Sequence, residues 1–348
     1  MDKKTILITG GAGFIGTNTT AHYLRKGYRI IVYDNLSRVG AKQNLAWLKG
    51  QKGNFIFIKG DIRNYKKLSE VFEKYKPDFV IHLAAQVTMV TSVTNPQEDF
   101  EINALGTFNV LEALRKGAPQ ASLIYSSTNK VYGEMTDIPV METRRRYVYR
   151  DIKGVSEDRR LDFHGPYGCS KGAGDQYTLD YARIYGLNTV VYRQSGIYGP
   201  HQFGVEEQGW LAWFCNALLF DKPVTIYGDG KQVRDVLYID DLLRAFDFIF
   251  KNIEKTRGRA YNIGGGSKLS LSIWELFDIL EKLSGKKINY SFDTWRAGDQ
   301  RIYISDLTNI KKDLSWTPKI SPKEGVKRLY SWISQNKNLI KKAGVFKN

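Results

Sequence analysis

The stretch Thr5–Gly16, TILITGGAGFIG, decides the fold. Ile6, Leu7 and Ile8 form an apolar run of the kind found in a strand buried on both faces. Gly10, Gly13 and Gly16 follow at GxxGxxG spacing, and Phe14 to Lys26 then carries apolar residues at helical intervals. Strand, glycine turn and helix together suit a pyrophosphate: glycines let the backbone come close, and the helix N-terminus offers free N–H groups and a positive dipole end. A glycine trio alone also fits an ordinary tight turn, so its surroundings matter. A second apolar run, Ile30 to Tyr33, ends in Asp34, eighteen residues past Gly16. A carboxylate there accepts both hydroxyls of an adenosine ribose and repels a 2′-phosphate, which favours NAD over NADP. Arg38 is a counter-signal, because an arginine can meet such a phosphate.

Composition bounds the rest. The chain has 348 residues, 42% hydrophobic and 25% charged, enough for a large core in one α/β domain or two lobes. No apolar run is long enough to span a membrane, and the chain enters its first strand at once, so the expected setting is the cytoplasm. Cys169 and Cys215 are too few for a disulfide framework and read as reduced thiols in packing roles. The four histidines are scattered without metal-ligand spacing, and no metal is expected. The formal charge of +16 suits an anionic small molecule. It lacks the basic tail of a nucleic-acid binder; the densest basic run is Arg144–Arg146, in an expected loop.

Further on, strands are expected at Phe55–Lys59, Phe79–Leu83, Ser122–Ser126 and Thr189–Tyr192. Between them lie helices at Gln43–Lys49, Lys66–Tyr75, Asp99–Lys116 and Pro166–Tyr185. Asp61, just past the third strand, can reach an adenine amino group, and Ala84-Ala85-Gln86 lets the chain pass close to a cofactor. Six alternations predict a Rossmann α/β fold, a doubly wound parallel sheet with the cofactor across its C-terminal strand ends. Residues 133–165 are polar and read as an insertion near the site mouth. Beyond Gly196 the rhythm changes: helix Trp210–Phe220, strand Val224–Tyr227, helix Ile239–Asn252 and strand Arg259–Ile263. Two or three helices around a short strand, Ile288–Phe292, are expected to complete the chain. The division is therefore an NAD-binding domain, residues 1–195 with about 239–264, and a smaller C-terminal α/β substrate lobe, 196–348.

Tyr167-Gly-Cys-Ser-Lys171 sets a phenol and an ammonium four residues apart, on one helix face. A free phenol titrates at about 10, too high for a base at neutral pH. A neighbouring cation and an oxidised nicotinamide are expected to lower it. The phenolate then accepts an alcohol proton, and Lys171 also holds the nicotinamide ribose. Thr128, just after the fifth strand in YSSTNKVYG, orients the same alcohol. YxxxK alone also fits an exposed helix pair; it is specific here because of the glycine turn, Asp34 and the Ser/Thr strand end.

These residues resemble the extended short-chain dehydrogenase/reductase superfamily, the NAD-dependent epimerases and dehydratases of nucleotide sugars, over essentially the whole chain. DNLSRVGAKQNLAWL, GDIRN, YSSTNKVYG, LDFHGPYGCSKGAGDQYTLDYARIYGLNTVVYR, QGWLAWFC and GKQVRDVL resemble the subgroup acting at carbon 2 of CDP-hexoses. The resemblance implies a bound NAD, a CDP-sugar substrate, epimerisation through a transient 2-keto sugar, and a role in lipopolysaccharide synthesis. It implies Tyr167 as base then acid, Lys171 as its partner and Thr128 as orienter. Phe14, Ile15, Asp34, Asp61, Ile62, Leu83 and Ala85 match the family's cofactor positions. With Gly10, Gly13, Gly16, Asn35, Gln86, Tyr167 and Lys171 they make the candidate cofactor set. Arg234 and Arg296 match arginines that clamp the sugar diphosphate, a role suited to bidentate guanidinium contact. It also implies a homodimer or homotetramer through helices Asp99–Lys116 and Pro166–Tyr185.

Three positions depart from the resemblance. Gly196 stands where many members carry a diphosphate-binding Asn, Gln194 where the 2-epimerases carry His, and His201 where they carry Arg. Phe203, Trp210 and Trp213 fit either the cytosine or the lobe core, with core favoured. Epimerisation at carbon 4 is the alternative. Dehydration is disfavoured because Asn129-Lys130, not an Asp-Glu pair, follows Thr128. A net oxidoreductase would consume NAD, and an NAD-sensing or RNA-associated protein has only the positive charge in its favour.

Overall fold

The computed structural model describes residues 3–296 and 298–346. Seven strands form the main sheet: β1 Thr5–Thr9, β2 Arg29–Asp34, β3 Asn54–Lys59, β4 Phe79–His82, β5 Ser122–Thr128, β6 Asn188–Gln194 and β7 Ala260–Ile263. All are parallel, in the order β7-β6-β5-β4-β1-β2-β3. The order reverses between β1 and β4, the topological switch where such sheets open a crevice.

Alternate residues supply two cores. Ile6, Ile8, Ile30 and Val32 face one layer. It includes Tyr23 and Leu24 of helix α1 (Phe14–Arg25) and, further along the chain, Leu242 and Phe246 of helix Ile239–Lys251. Leu7, Ile31 and Tyr33 face the other. There they meet helix α2 (Tyr65–Tyr75) through Leu68 and Phe72, helix α3 (Gly106–Gly117) through Val110 and Leu114, and helix α4 (Gly165–Tyr185) through Tyr181. The two-residue period of the strands and the amphipathic helices thus bury one apolar set on each side. α4 stops at Gly186, whose φ of +66° suits a left-handed cap.

Five expectations change. The continuous helix Asp99–Lys116 is instead a short helix Pro96–Phe100, a π-turn Glu101–Leu105 and α3. Residues 133–165 are not only loop: Val140–Glu142 and Tyr147–Tyr149 form an antiparallel hairpin. Its buried Tyr147 and Tyr149 pack with Tyr132, Val233 and Tyr303. The unanticipated strand Val233–Tyr238 is the centre of a second sheet, flanked by Gly196–Tyr198, Ser270–Ser272 and Ile302–Tyr303. Among the described residues the tail holds four helices, Ile273–Ser284, Thr308–Leu314, Pro322–Gln335 and Lys337–Lys342, and its expected strand is Tyr290–Asp293, paired with Val224–Tyr227. Cys215 is buried, but Cys169 is exposed on α4, so packing accounts for the first thiol only. No helix of the described residues is long and apolar enough to cross a membrane.

Candidate active site

The cleft lies over the C-terminal ends of β1, β2, β4, β5 and β6. Gly10, Gly13, Phe14, Ile15, Gly16, Asp34, Asn35, Asp61, Ile62, Leu83, Ala85, Thr128, Tyr167 and Lys171 all line it. Gln86, Arg234 and Arg296 do not.

At Gly10 and Gly16 the turn has no room for a side chain. Gly10 has φ +69°, and a Cβ on it would lie 2.7 Å from Ala84 N. A Cβ on Gly16 would lie 2.2 Å from the Gly10 carbonyl oxygen. Gly13 caps α1 without any side-chain hydrogen bond, so first-turn N–H groups are left for a ligand. Asp34 ends β2, and its Oδ2 accepts from Ala12 N–H at 3.0 Å while Oδ1 accepts from Leu36 N–H at 2.7 Å. Burial raises this carboxyl, and the two backbone donors pull it back. The Asp61 carboxyl is held down at about 2, first by the Arg63 hydrogen bond; Asn35 Nδ2 also donates to it at 2.9 Å. A backbone cradle with two carboxylates beyond it fits a dinucleotide, with the diphosphate at the turn and a ribose at Asp34.

Thr128 ends β5, and α4 brings Tyr167 and Lys171 to the same point. Thr128 Oγ1 accepts from Lys130 N–H at 3.2 Å, fixing its rotamer. The Tyr167 phenol is 9% exposed and is pushed up to about 12 by burial, which the Thr128 hydroxyl opposes. Burial pushes Lys171 down to about 7, opposed by Asp175 and Asp99. Its Nζ donates to the Ser126 carbonyl and sits 4.3 Å from the centre of the Tyr125 ring. The expected lowering of the phenol is therefore not a property of the chain alone. Desolvation dominates, and Lys171 addresses a backbone oxygen that sequence spacing cannot reveal.

Gln86, Lys130, Arg234 and Arg296 lie off the cleft and have other partners, as does Asn129 on its edge. Gln86 is buried, donating through Nε2 to Thr88 O and Asp99 Oδ1. Arg234 Nη2 donates to Asp299 Oδ1 at 2.6 Å, and the Arg296 guanidinium lies 3.7 Å from the Tyr227 ring centre. Asn129 Nδ2 donates to Gln300 Oε1 at 3.1 Å, and Lys130 Nζ to Gly298 O at 3.2 Å. Both therefore tie the end of β5 to residues 298–300.

Gln194 and His201, two of the residues that depart from the resemblance, line the cleft. Gln194 pairs in register with Thr128 across β5 and β6, and its Oε1 is buried without a partner among the described residues. His201 is buried with its ring 4.1 Å from Trp47 and 5.1 Å from Trp332, which pushes its imidazole down to about 4. Phe203 belongs to the core and also lines the cleft, as does half-buried Trp210; Trp213 packs on that core away from the cleft.

Comparison with known proteins places this geometry in context. Residues 6–264 match the NAD dependent epimerase/dehydratase family. The chain is 48% identical over 335 residues to CDP-paratose 2-epimerase of Salmonella typhi, covering 94% of this chain and 99% of that one. It is similar to the crystal structure of UDP-glucose 4-epimerase with UDP-glucose from Thermotoga maritima, with TM-score 0.81, 32% identity and 95% and 99% coverage. It is also similar to UDP-glucuronic acid 4-epimerase from Bacillus cereus in complex with UDP-glucuronic acid and NAD, with TM-score 0.81, 29% identity and the same 95% and 99% coverage.

Proposed function

The chain belongs to the NAD dependent epimerase/dehydratase family of nucleotide-sugar enzymes, and from that premise we propose that it inverts carbon 2 of a CDP-hexose through a transient 2-keto sugar. The convergence of Thr128, Tyr167 and Lys171 on the cleft that the glycine turn opens carries this reading. The near-full-length likeness to a CDP-paratose 2-epimerase supplies the sugar class, of the paratose/tyvelose or glucose type.

Gly10 to Gly16, Asp34, Asp61, Ile62, Leu83 and Ala85 would hold NAD, which supplies a reversible two-electron acceptor. Thr128 orients the sugar hydroxyl. Tyr167 takes its proton when the alcohol becomes a ketone and returns one when the ketone is reduced. Lys171 supplies the positive charge that brings the phenol into range once ligands fill the cleft. Arg234 and Arg296 are the proposed diphosphate clamps, and Arg234 would exchange Asp299 for a phosphate oxygen. Dehydration needs a side-chain acid–base pair beside Thr128. Asn129 and Lys130 are instead tied to residues 298–300.

Two exposed apolar surfaces support pairing of copies. Phe100, Leu105 and Phe108 lie on the segment ending in α3, and Tyr177, Ile184 and Tyr185 lie on α4. Our reading is a homodimer or a dimer of dimers through these helices, acting in the cytoplasm. A panel of CDP- and UDP-hexoses, followed by nuclear magnetic resonance, tests the reaction. Inversion at carbon 2 of a CDP-sugar without net NADH is expected; inversion at carbon 4 alone overturns it.

A further inference from the structure

We propose that Asp99 is a buried anionic positioning residue for the Tyr167–Lys171 pair, tying the turn of α4 that carries both side chains to the loop after β4. The proposal rests on that pair being the acid–base machinery, but not on which sugar it serves.

Asp99 is 0% exposed, yet among the described residues no cation lies within ion-pair distance of it. Its partners are all donors, and the chain fixes their orientation. Asn103 Oδ1 accepts from Gln86 N–H at 2.9 Å, so the Asn103 amide turns its NH2 inward. That group shares its two N–H bonds among three acceptors, Asp99 Oδ1 at 3.1 Å, Ser170 Oγ at 3.1 Å and Gln86 O at 3.0 Å. Gln86 Oε1 accepts from Thr88 N–H, so its NH2 also faces Asp99 Oδ1, at 2.8 Å. Ser170 Oγ, receiving the Asn103 amide, sends its own proton to Asp99 Oδ2 at 2.5 Å. These donors favour the ionised form and oppose burial, which raises the Asp99 carboxyl above its usual range.

The π-turn Glu101–Leu105 makes this possible. It sits between Asp99 and α3 and presents Asn103 to the Gln86 peptide, whose N–H and C=O it brackets at 2.9 and 3.0 Å. π-turns of this kind recur at functional sites. Ser170, which binds Asp99, is one of the three residues between Tyr167 and Lys171 and directly precedes Lys171.

An uncompensated buried charge costs several kcal/mol, so a cation nearby must offset it. The ionisable groups around this point are Lys171, Tyr167, Asp175, Tyr125 and His82. Asp175 is already paired with Arg193 at 2.9 and 3.0 Å, and His82 is held neutral by burial. Lys171 is the remaining cation, and Asp99 is among the groups that keep its proton on.

The test titrates Lys171 directly, in NAD-loaded enzyme without any sugar. Lysine labelled with carbon-13 is followed by nuclear magnetic resonance, and the Lys171→Arg variant identifies the signal. In Asp99→Asn the Lys171 midpoint should fall by about one pH unit. Asp99→Ser should give the same shift where Asp99→Asn does not fold. Ser170→Ala cuts the tie but leaves the charge, so its midpoint should stay near the wild-type value. An unmoved midpoint in the Asp99 variants overturns the proposal. Because no sugar is present, that failure is separate from any failure of the carbon-2 reaction.

Discussion

Burial acts on Tyr167 and Lys171 in opposite senses, raising one to about 12 and lowering the other to about 7. Tyr167 therefore keeps its proton in the chain alone, so its phenolate must draw on what binds. Tyr167→Phe should reduce turnover by at least about 10²-fold while NAD content after gel filtration is unchanged. Turnover near wild type would contradict the assignment. Gly16→Ala should act on the opposite step. Its Cβ would lie 2.2 Å from Gly10 O, so the purified variant should lose bound NAD, read from its absorbance. Much of this was legible because short spacings carry it: a glycine turn, a carboxylate at a strand end, a phenol and an amine one helical turn apart. Ser126, Asp99 and Asn103 were not. They act through a backbone carbonyl or through side-chain bonds between segments distant in sequence, and neither leaves a periodic mark in one sequence.

Elements of the first half follow from hydrophobic period, and there sequence and structure agree to within a residue or two at most ends. The exceptions have local causes. The helix expected over Asp99–Lys116 keeps helical periodicity through its π-turn, so the extra residue per turn is invisible until Asn103 is seen bonding Gln86. The second sheet is built from strands as short as Ile302–Tyr303, too short to show alternation. The elements around the site are joined by one buried ion pair. Arg193 of β6 holds Asp175 of α4 through two hydrogen bonds, and Ser127 of β5 donates to the same carboxylate at 2.7 Å. Removing one partner leaves the other charge buried alone. Asp175→Ala should therefore cost about 3–5 kcal/mol, measured as a lower urea midpoint. A midpoint unchanged from wild type would show that the pair is not what joins helix to sheet.

At the scale of the molecule, two buried histidines set the response to acid. His82 lies between Thr9 and Thr107 and is held down at about 3, and His201 at about 4, against 6.5 for a free imidazole. The unfolded chain takes up protons that the folded chain refuses. The stability they confer is therefore complete above about pH 6.5 and is lost as pH falls toward the folded values. The urea midpoint should decline below about pH 6.5, and the decline should flatten in His82→Asn. Assembly is open to a similar check: Ile184, 63% exposed on α4, changed to Glu should yield a monomer by light scattering if that face joins two copies.

The most direct test of the whole account is the reaction in deuterated water. Tyr167 is assigned to a hydroxyl proton, never to one on carbon. A CDP-hexose inverted at carbon 2 should therefore carry no solvent deuterium on that carbon, as read by mass spectrometry of the product. Deuterium at carbon 2 would mean that a base strips the carbon itself, and would contradict the assigned roles of Thr128, Tyr167 and Lys171.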